Sequence, residues 1–445
     1  MKPEVGIMFA SVIEPAQLHL TKYFASKFFH RLVTEYGDCE FSVRLADGTN
    51  LASTPRSAFT LVINDPHVLE KILDSPDELT LGEAFINGDL DVEGDLGAAL
   101  QFAELLMSLP PEFIRKIDRR LVGSALPFPK TAVSNRDLHL VGDIHCRERD
   151  RAAIAHHYDV SNAFYQLWLD PYLQYSAAYF SSSEEDLNAA QVRKLDHLCR
   201  KLMLKPGERF LDIGCGWGGL VMYAASHYDV EAFGITASQN QAQLAWERIR
   251  SAGLDDRCAI RVCDYRDLDQ SAAYDKIASI GMFEHVGESM LPLYFAQAFQ
   301  LLRPGGVFLN SGIAVSATFQ RQGASFIDKY VFPDGELVPL YKAVQQAEIS
   351  GLEVRDVEDF GEHYALTLDR WVERLEQCAP QARKVTNDAT YRTWRLYMAA
   401  SARAFRAGRI HLYQMLLRRP DQAAVRLESR RNNGLNEQQS IRSFQ

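Results

Sequence analysis

The chain has 445 residues, 47% hydrophobic and 24% charged, with a formal net charge of -10; that length allows two or three domains of ~150 residues, and the mix is that of a cored globular protein. The negative balance argues against a nucleic-acid binder, which needs clustered Lys and Arg against phosphates. Seven cysteines with no Cys-x-x-Cys pair indicate neither a disulfide framework nor a zinc site; with no secretory pattern and no ~20-residue apolar run, a cytoplasmic setting is expected.

Residues 1–125 lack a strand-helix-strand rhythm. Phe41–Leu45 and Phe59–Ile63 alternate as strands, Asp47-Gly48 marks a turn, and helical patterns flank them, which predicts a small N-terminal α+β domain. Residues 107–150, with Pro110-Pro111, Pro127 and Pro129 among Arg115, Lys116, Arg119 and Arg120, read as an exposed linker, placed at 126–151. Its charges are first a solvated face; they also suit anionic headgroups, at about 1 kcal/mol per basic residue.

From Ala152 the texture changes. Helical patterns around Ala163–Leu169 and Ala189–Leu202 precede an alternation of strands (Arg209–Gly214, Val230–Thr236, Cys258–Asp264, Lys276–Gly281, Gly306–Ile313) and helices (Gly219–His227, Ser238–Ser251, Leu291–Leu302). Such alternation predicts a parallel sheet covered on both faces. Ser238-x-x-Gln241 reads as a capping box. Ligands in such sheets bind beyond the carboxyl ends of the strands, so Gly214, Thr236, Asp264 and Glu284 are expected to line one crevice. A strand-like Glu353–Phe360 and long aromatic-rich helices to Arg419 follow, and 421–445 reads as a polar tail, leaving a second domain over 152–420.

The most informative stretch is Leu211–Leu220, a short apolar strand with Asp212 near its end and a turn Gly214-x-Gly216-x-Gly218 opening a helix. Glycines let the backbone bend sharply and leave amides facing a ligand. The spacing is not the dinucleotide fingerprint, and the next strand ends in Gly-Ile-Thr236 rather than in a ribose-binding acid, which favours S-adenosylmethionine over NAD.

With this turn, His157-Tyr-Asp159, Gly281-Met-Phe-Glu-His-Val-Gly287, Lys329-Tyr-Val-Phe-Pro-Asp-Gly335 and the segments 81–95 and 405–414, the chain resembles the cyclopropane-fatty-acyl-phospholipid synthases. The resemblance implies a Rossmann-like class I methyltransferase with a mostly parallel seven-stranded sheet. It implies cofactor contacts at Tyr175, Ser176, Asp212, Gly214, Gly216, Thr236, Gln241, Asp264 and Tyr265. It also implies catalysis by Glu284 and Tyr364 around a bicarbonate ion that takes up the proton. Phe283, Tyr330, Phe332 and Tyr364 are candidate aromatic faces for a cationic transition state. If Glu284 sits on a strand, His285 points to the opposite face and reads as structural.

Three positions depart from the family pattern: Ala177 and Ser401 stand where cysteines are common, and Ser311 where a histidine is. The expected reaction is methyl transfer to a double bond of an unsaturated phospholipid acyl chain, most simply giving a cyclopropane, with a methyl-branched or methylene product and a non-catalytic lipid binder as alternatives. The expected partners are the inner membrane face, touched peripherally, and a second copy in a dimer, with the first domain serving one of these contacts.

Overall fold

The structure is a computed structural model that describes residues 26–110 and 142–421, apart from 33, 36–39, 55, 66, 67, 75, 159, 270 and 320–324. Arg115, Lys116, Arg119 and Arg120, Asp159 and the expected tail beyond 421 lie outside the described residues, while residues 147–151 of the expected linker are already helical. The chain divides into two compact units, the smaller described over 26–110, 325–326 and 388–396, and the larger over the remaining described residues.

In the smaller unit β1 (Phe41–Leu45), β2 (Asn50–Ser53), β3 (Phe59–Ile63) and β4 (Leu90–Gly94) form one sheet in the order β2-β1-β3-β4. β1 and β3 run parallel and the other pairs antiparallel. The helices α1 (Val68–Asp74), α2 (Glu78–Ile86) and α3 (Leu96–Ser108) accompany it. Asp77 and Asp95 cap the last two by accepting from Thr80 and Ala98 amides. Phe41, Phe59 and Phe102 fill the core, the closest rings 4.5 Å apart.

The larger unit begins with α4 (Arg147–Tyr158), α5 (Asn162–Gln166) and α6 (Leu187–Lys201), then β5 (Arg209–Ile213), α7 (Gly219–Tyr228), β6 (Glu231–Thr236), α8 (Gln239–Ser251), β7 (Cys258–Val262), β8 (Tyr274–Ile280), α9 (Leu291–Leu301) and β9 (Leu302–Val315). After α10 (Phe326–Tyr330) and α11 (Leu340–Ile349) come β10 (Glu353–Asp359), α12 (Gly361–Gln377), α13 (Ala379–Val385), α14 (Asp388–Arg406), whose first turns count with the smaller unit, and β11 (Ile410–Arg418). The sheet has seven strands in the order β10-β11-β9-β8-β5-β6-β7. β11 alone runs against its neighbours. Residues 410–418, expected to be helical, are therefore this antiparallel strand: Gly408 turns the chain at φ +64° after α14, and Leu412 and Gln414 then alternate inward.

Successive residues of the central strand feed opposite faces. Phe210 packs with Leu195, Leu198, Leu220 and Ala245 on the α6–α8 side, while Leu211 and Ile213 pack with Phe295, Phe308 and Ala343 on the other. Both faces are therefore apolar, as a covered parallel sheet requires. Asp212 shares the side of Phe210, facing α6.

Gly219, the first residue of α7, lies so close to the 170–176 loop that a Cβ there would fall 2.3 Å from the Tyr172 carbonyl oxygen and 2.1 Å from Gln174 Nε2. Gly219→Ala should destabilise the protein by about 1–3 kcal/mol through overpacking against backbone, read as a lower urea midpoint. An unchanged midpoint would contradict the close approach.

Candidate active site

The glycine turn forms as its sequence demands. Gly214, Gly216 and Gly218 take φ of +82°, +52° and +77°, a region closed to most side chains. Arg248 holds the turn from α8, donating to the carbonyls of Trp217 (2.7 Å), Tyr172 (3.2 Å) and Pro171 (2.8 Å). Trp217 Nε1 donates to Asn162 Oδ1 at 2.8 Å. The turn is thus fastened to the loop that precedes α6.

A cavity opens above the strand ends, and every expected cofactor contact lines it: Tyr175, Ser176, Asp212, Gly214, Gly216, Thr236, Gln241, Asp264 and Tyr265. Tyr158 and His285 line it too. Ser238 caps α8 by accepting from the Gln241 amide, but the Gln241 side chain does not complete a capping box; its Oε1 accepts from Thr236 Oγ1 at 2.7 Å. Both oxygens of Asp264 accept from Arg266, at 2.8 and 2.6 Å, and Arg266 also reaches Asp150 at 3.0 Å. Burial would raise Asp264, but Arg266 holds its carboxyl below the usual range.

Glu284 does not share that cavity. It lines a second, smaller one with Ala177, Lys194, His197, Ser311, Tyr364 and Gln414. The two cavities share Ser176, Ile280 and Gly281 as common wall. The expected single crevice is thus two adjoining ones. The cause is local: β8 stops at Ile280, Gly281 turns at φ +69°, and Phe283–His285 is a 3-10 turn. Strand alternation does not apply there, so His285 faces the first cavity rather than being set apart from the site. Burial keeps its imidazole down at about 4, hence neutral at pH 7.

The electrostatics are those of a dry site. Burial pushes the Glu284 carboxyl up to about 7, opposed by the Ile313 amide, which donates to Oε1 at 2.7 Å; Oε2 has no partner. Tyr364 is pushed well above its ordinary value, by burial first. Burial likewise raises Asp212 to about 7 and leaves its Oδ1 unpartnered, although Lys194 pulls the other way. Lys194 is buried, lowered to about 8, and donates to Gln174 Oε1 at 2.6 Å and Ser176 Oγ at 2.9 Å. Of the other aromatic candidates, Phe283 packs in the core with Tyr294 and Phe295, Phe332 stacks on His157 at 4.0 Å, and Tyr330 is buried beside Lys329. Of the departures, Ala177 and Ser311 line the second cavity, and Ser401 bonds to Tyr397.

Sequence reasoning did not single out Lys194, Gln174, Arg266, Arg248, His197 or Gln414. Only Lys194 carried a signal, a lysine on the apolar face of an amphipathic helix.

The family described as mycolic acid cyclopropane synthetase matches residues 145–415. A probable fatty acid methyltransferase of Pseudomonas putida is 41% identical over 384 residues, 85% of this chain and 91% of its own. The cyclopropane-fatty-acyl-phospholipid synthase of Escherichia coli strain K12 is 40% identical over 271 residues, 61% of this chain and 69% of its own. A mycolic acid cyclopropane synthase solved with SAH and CTAB superposes with a TM-score of 0.57 at 32% identity, covering 60% of this chain and 98% of that one.

Asp212 gives a test. Its carboxyl stands at about 7 against an ordinary 3.8, so the stability it contributes is full below the unfolded value and is lost as pH rises through 7, by up to about 4 kcal/mol. Asp212→Asn should therefore melt higher than the parent at pH 8 and no higher at pH 4, read by thermal unfolding at the two pH values. Equal melting at pH 8 would refute the buried charge.

Proposed function

Because the chain belongs to the mycolic acid cyclopropane synthetase family and is an S-adenosylmethionine-dependent methyltransferase, we propose that it methylates a carbon-carbon double bond of an unsaturated phospholipid acyl chain and closes a cyclopropane ring there. The observation that carries this reading is the adjoining pair of cavities, one framed by the glycine turn and the other by Glu284 and Tyr364, with Ser176, Ile280 and Gly281 between them.

The first cavity fits the cofactor. Asp212 offers a buried carboxylate oxygen without a partner, suited to an ammonium. The open backbone at Gly216, where a Cβ would meet nothing within 4 Å, leaves room for the amino-acid moiety. Thr236 and Gln241 suit ribose hydroxyls, Tyr265 the adenine ring, and Asp264 the exocyclic amine through lone pairs not used by Arg266. Tyr175 lines the cavity, and Ser176 closes it toward its neighbour. Bound S-adenosylmethionine supplies an electrophilic methyl group.

An isolated alkene is a weak nucleophile, so what the protein contributes is alignment and the exclusion of water. The alkene π pair forms the new carbon-carbon bond, and the pair of the broken S–C bond stays on sulfur. The acyl carbocation then loses a proton. Loss from the added methyl turns that C–H pair into the ring bond, whereas loss from a neighbouring carbon gives a methylene chain without a ring.

The second cavity fits a small anion that takes up this proton, and bicarbonate would supply the base. A carboxylate beside an anion must be protonated or share a proton. Glu284, pushed up to about 7, is half protonated near neutrality and can donate. The Tyr364 hydroxyl, kept protonated by burial, is a second donor. Ring-free methylation is the second reading, favoured by the 85% coverage shared with a probable fatty acid methyltransferase. A peripheral visit to the membrane is part of the proposal, since the substrate lies in a bilayer; among the described residues no helix is long and apolar enough to cross one.

Purified protein, methyl-labelled cofactor and vesicles of monounsaturated phospholipid should place label in the fatty acyl fraction. Its absence there would end the proposal. NMR of the product should show ring methylenes, and a ring-free product of the same added mass would replace cyclopropane by the second reading. Glu284→Ala should lower kcat about 100-fold, the scale of a lost proton-handling group, with S-adenosylhomocysteine affinity unchanged.

A further inference from the structure

Two polar side chains on the wall of the second cavity have no part in the reaction as derived. His197 projects from α6 and Gln414 from β11, and the Gln414 side chain lies near enough to His197 to act on its ring. Both face the cavity that holds Glu284, Ser311 and Tyr364. Gln414 is 4% exposed and its Oε1 has no partner. Nε2 of His197 and Oε2 of Glu284 are buried and also lack partners. Unpartnered buried polar atoms are costly, and here three sit around one small space. An apolar acyl segment would leave all three unsatisfied. A hydrogen-bearing oxyanion would satisfy all three, accepting from a protonated carboxyl and an imidazole N–H while its own O–H donates to the amide oxygen.

We propose that His197 and Gln414 form the far wall of the anion site, with His197 donating from Nε2 to a bicarbonate oxygen and Gln414 accepting the ion's O–H, so that together they orient the oxygen that receives the acyl proton. The inference rests on reading this cavity as a bicarbonate site. His197 has the protonation state the role needs: burial holds it below its ordinary value, Lys201 and Arg200 on α6 act the same way, and Glu358 on β10 and Gln414 oppose them. Tyr179 and Phe360 pack on its ring at 4.8 and 5.5 Å, and Lys194 lies one turn earlier on α6. A neutral imidazole donates without adding a cation next to an acyl carbocation. Gln414 is opposite Ser311 in the β11–β9 register, so their side chains share one face. That adjacency makes Ser311 a position from which a second imidazole can enter the same space.

The test is a bicarbonate titration of methyl transfer in carbonate-depleted buffer, with the full chain. His197→Leu should raise the half-saturating bicarbonate concentration about tenfold, the loss of one charge-assisted hydrogen bond, with S-adenosylhomocysteine affinity unchanged and the bicarbonate dependence shifted across the pH profile. Adding Ser311→His to that variant should restore most of the response. If His197→Leu does not accumulate folded, His197→Asn, which keeps a donor, carries the same measurement with a smaller shift in the same direction. The inference is overturned if the bicarbonate response is unaltered, if cofactor affinity falls in equal measure, or if Ser311→His restores nothing. Glu284→Ala run in parallel separates the layers: impaired Glu284→Ala with unaltered His197→Leu removes this inference alone, and two unaltered variants remove the bicarbonate reading with it.

Discussion

The buried ammonium of Lys194 is the interaction on which the site depends. A charge taken out of water is tolerated only when its hydrogen bonds are met and opposite charge is near. Here Gln174 and Ser176 take the hydrogen bonds, and Asp170 and Asp212 supply the charge. Asp170 in turn accepts from the Tyr172 and Gln174 amides, both at 2.8 Å. The segment 170–176 is thereby pinned against α6 at one end and, through Arg248 and Gly219, against the glycine turn at the other. Ser176, its last residue, forms the wall between the cavities together with Ile280 and Gly281. Lys194 holds the Ser176 hydroxyl, and Gln191 Nε2 donates to the Ser176 carbonyl at 3.0 Å.

How much of this could be read from the sequence depends on how far apart the partners lie along it. The glycine turn and the five parallel strands are local patterns, and they fold where their periodicity places them. β11 was locally legible as well: Ile410 to Arg418 alternates after Gly408, but the long aromatic helical pattern before it masks the change of period. His285 illustrates a different failure. Strand alternation ends at Ile280, and in the 3-10 turn beyond it three residues complete a revolution, so neighbours such as Glu284 and His285 reach different cavities. Arg266 with Asp150, and His197 with Gln414, join residues more than a hundred positions apart. No spacing rule finds such pairs.

The site's charges are arranged to be absent as much as present. Glu284 and Asp212 stand at about 7, His285 at about 4, and Tyr158 and Tyr364 are held protonated by burial. Such a pocket has few fixed charges to stabilise the wrong species, and little water to trap an acyl carbocation. The stability forgone at Asp212 and Glu284 is the usual signature of groups placed for chemistry rather than for folding.

On the proposed reading, the product follows from geometry at one point, the position of the proton acceptor relative to the added methyl. Glu284 is fixed from one side by the Ile313 amide, so its free oxygen has a single direction. Ser311 presents only a short hydroxyl on the β9 face, so it contributes little to holding an anion there, and the opposite wall must do more. That wall is built from α6 and β11, elements whose packing against each other sets how deep an anion sits. On the proposed reading, the choice between ring and branch would turn on where α6 and β11 hold that anion, not on which residue performs the methyl transfer.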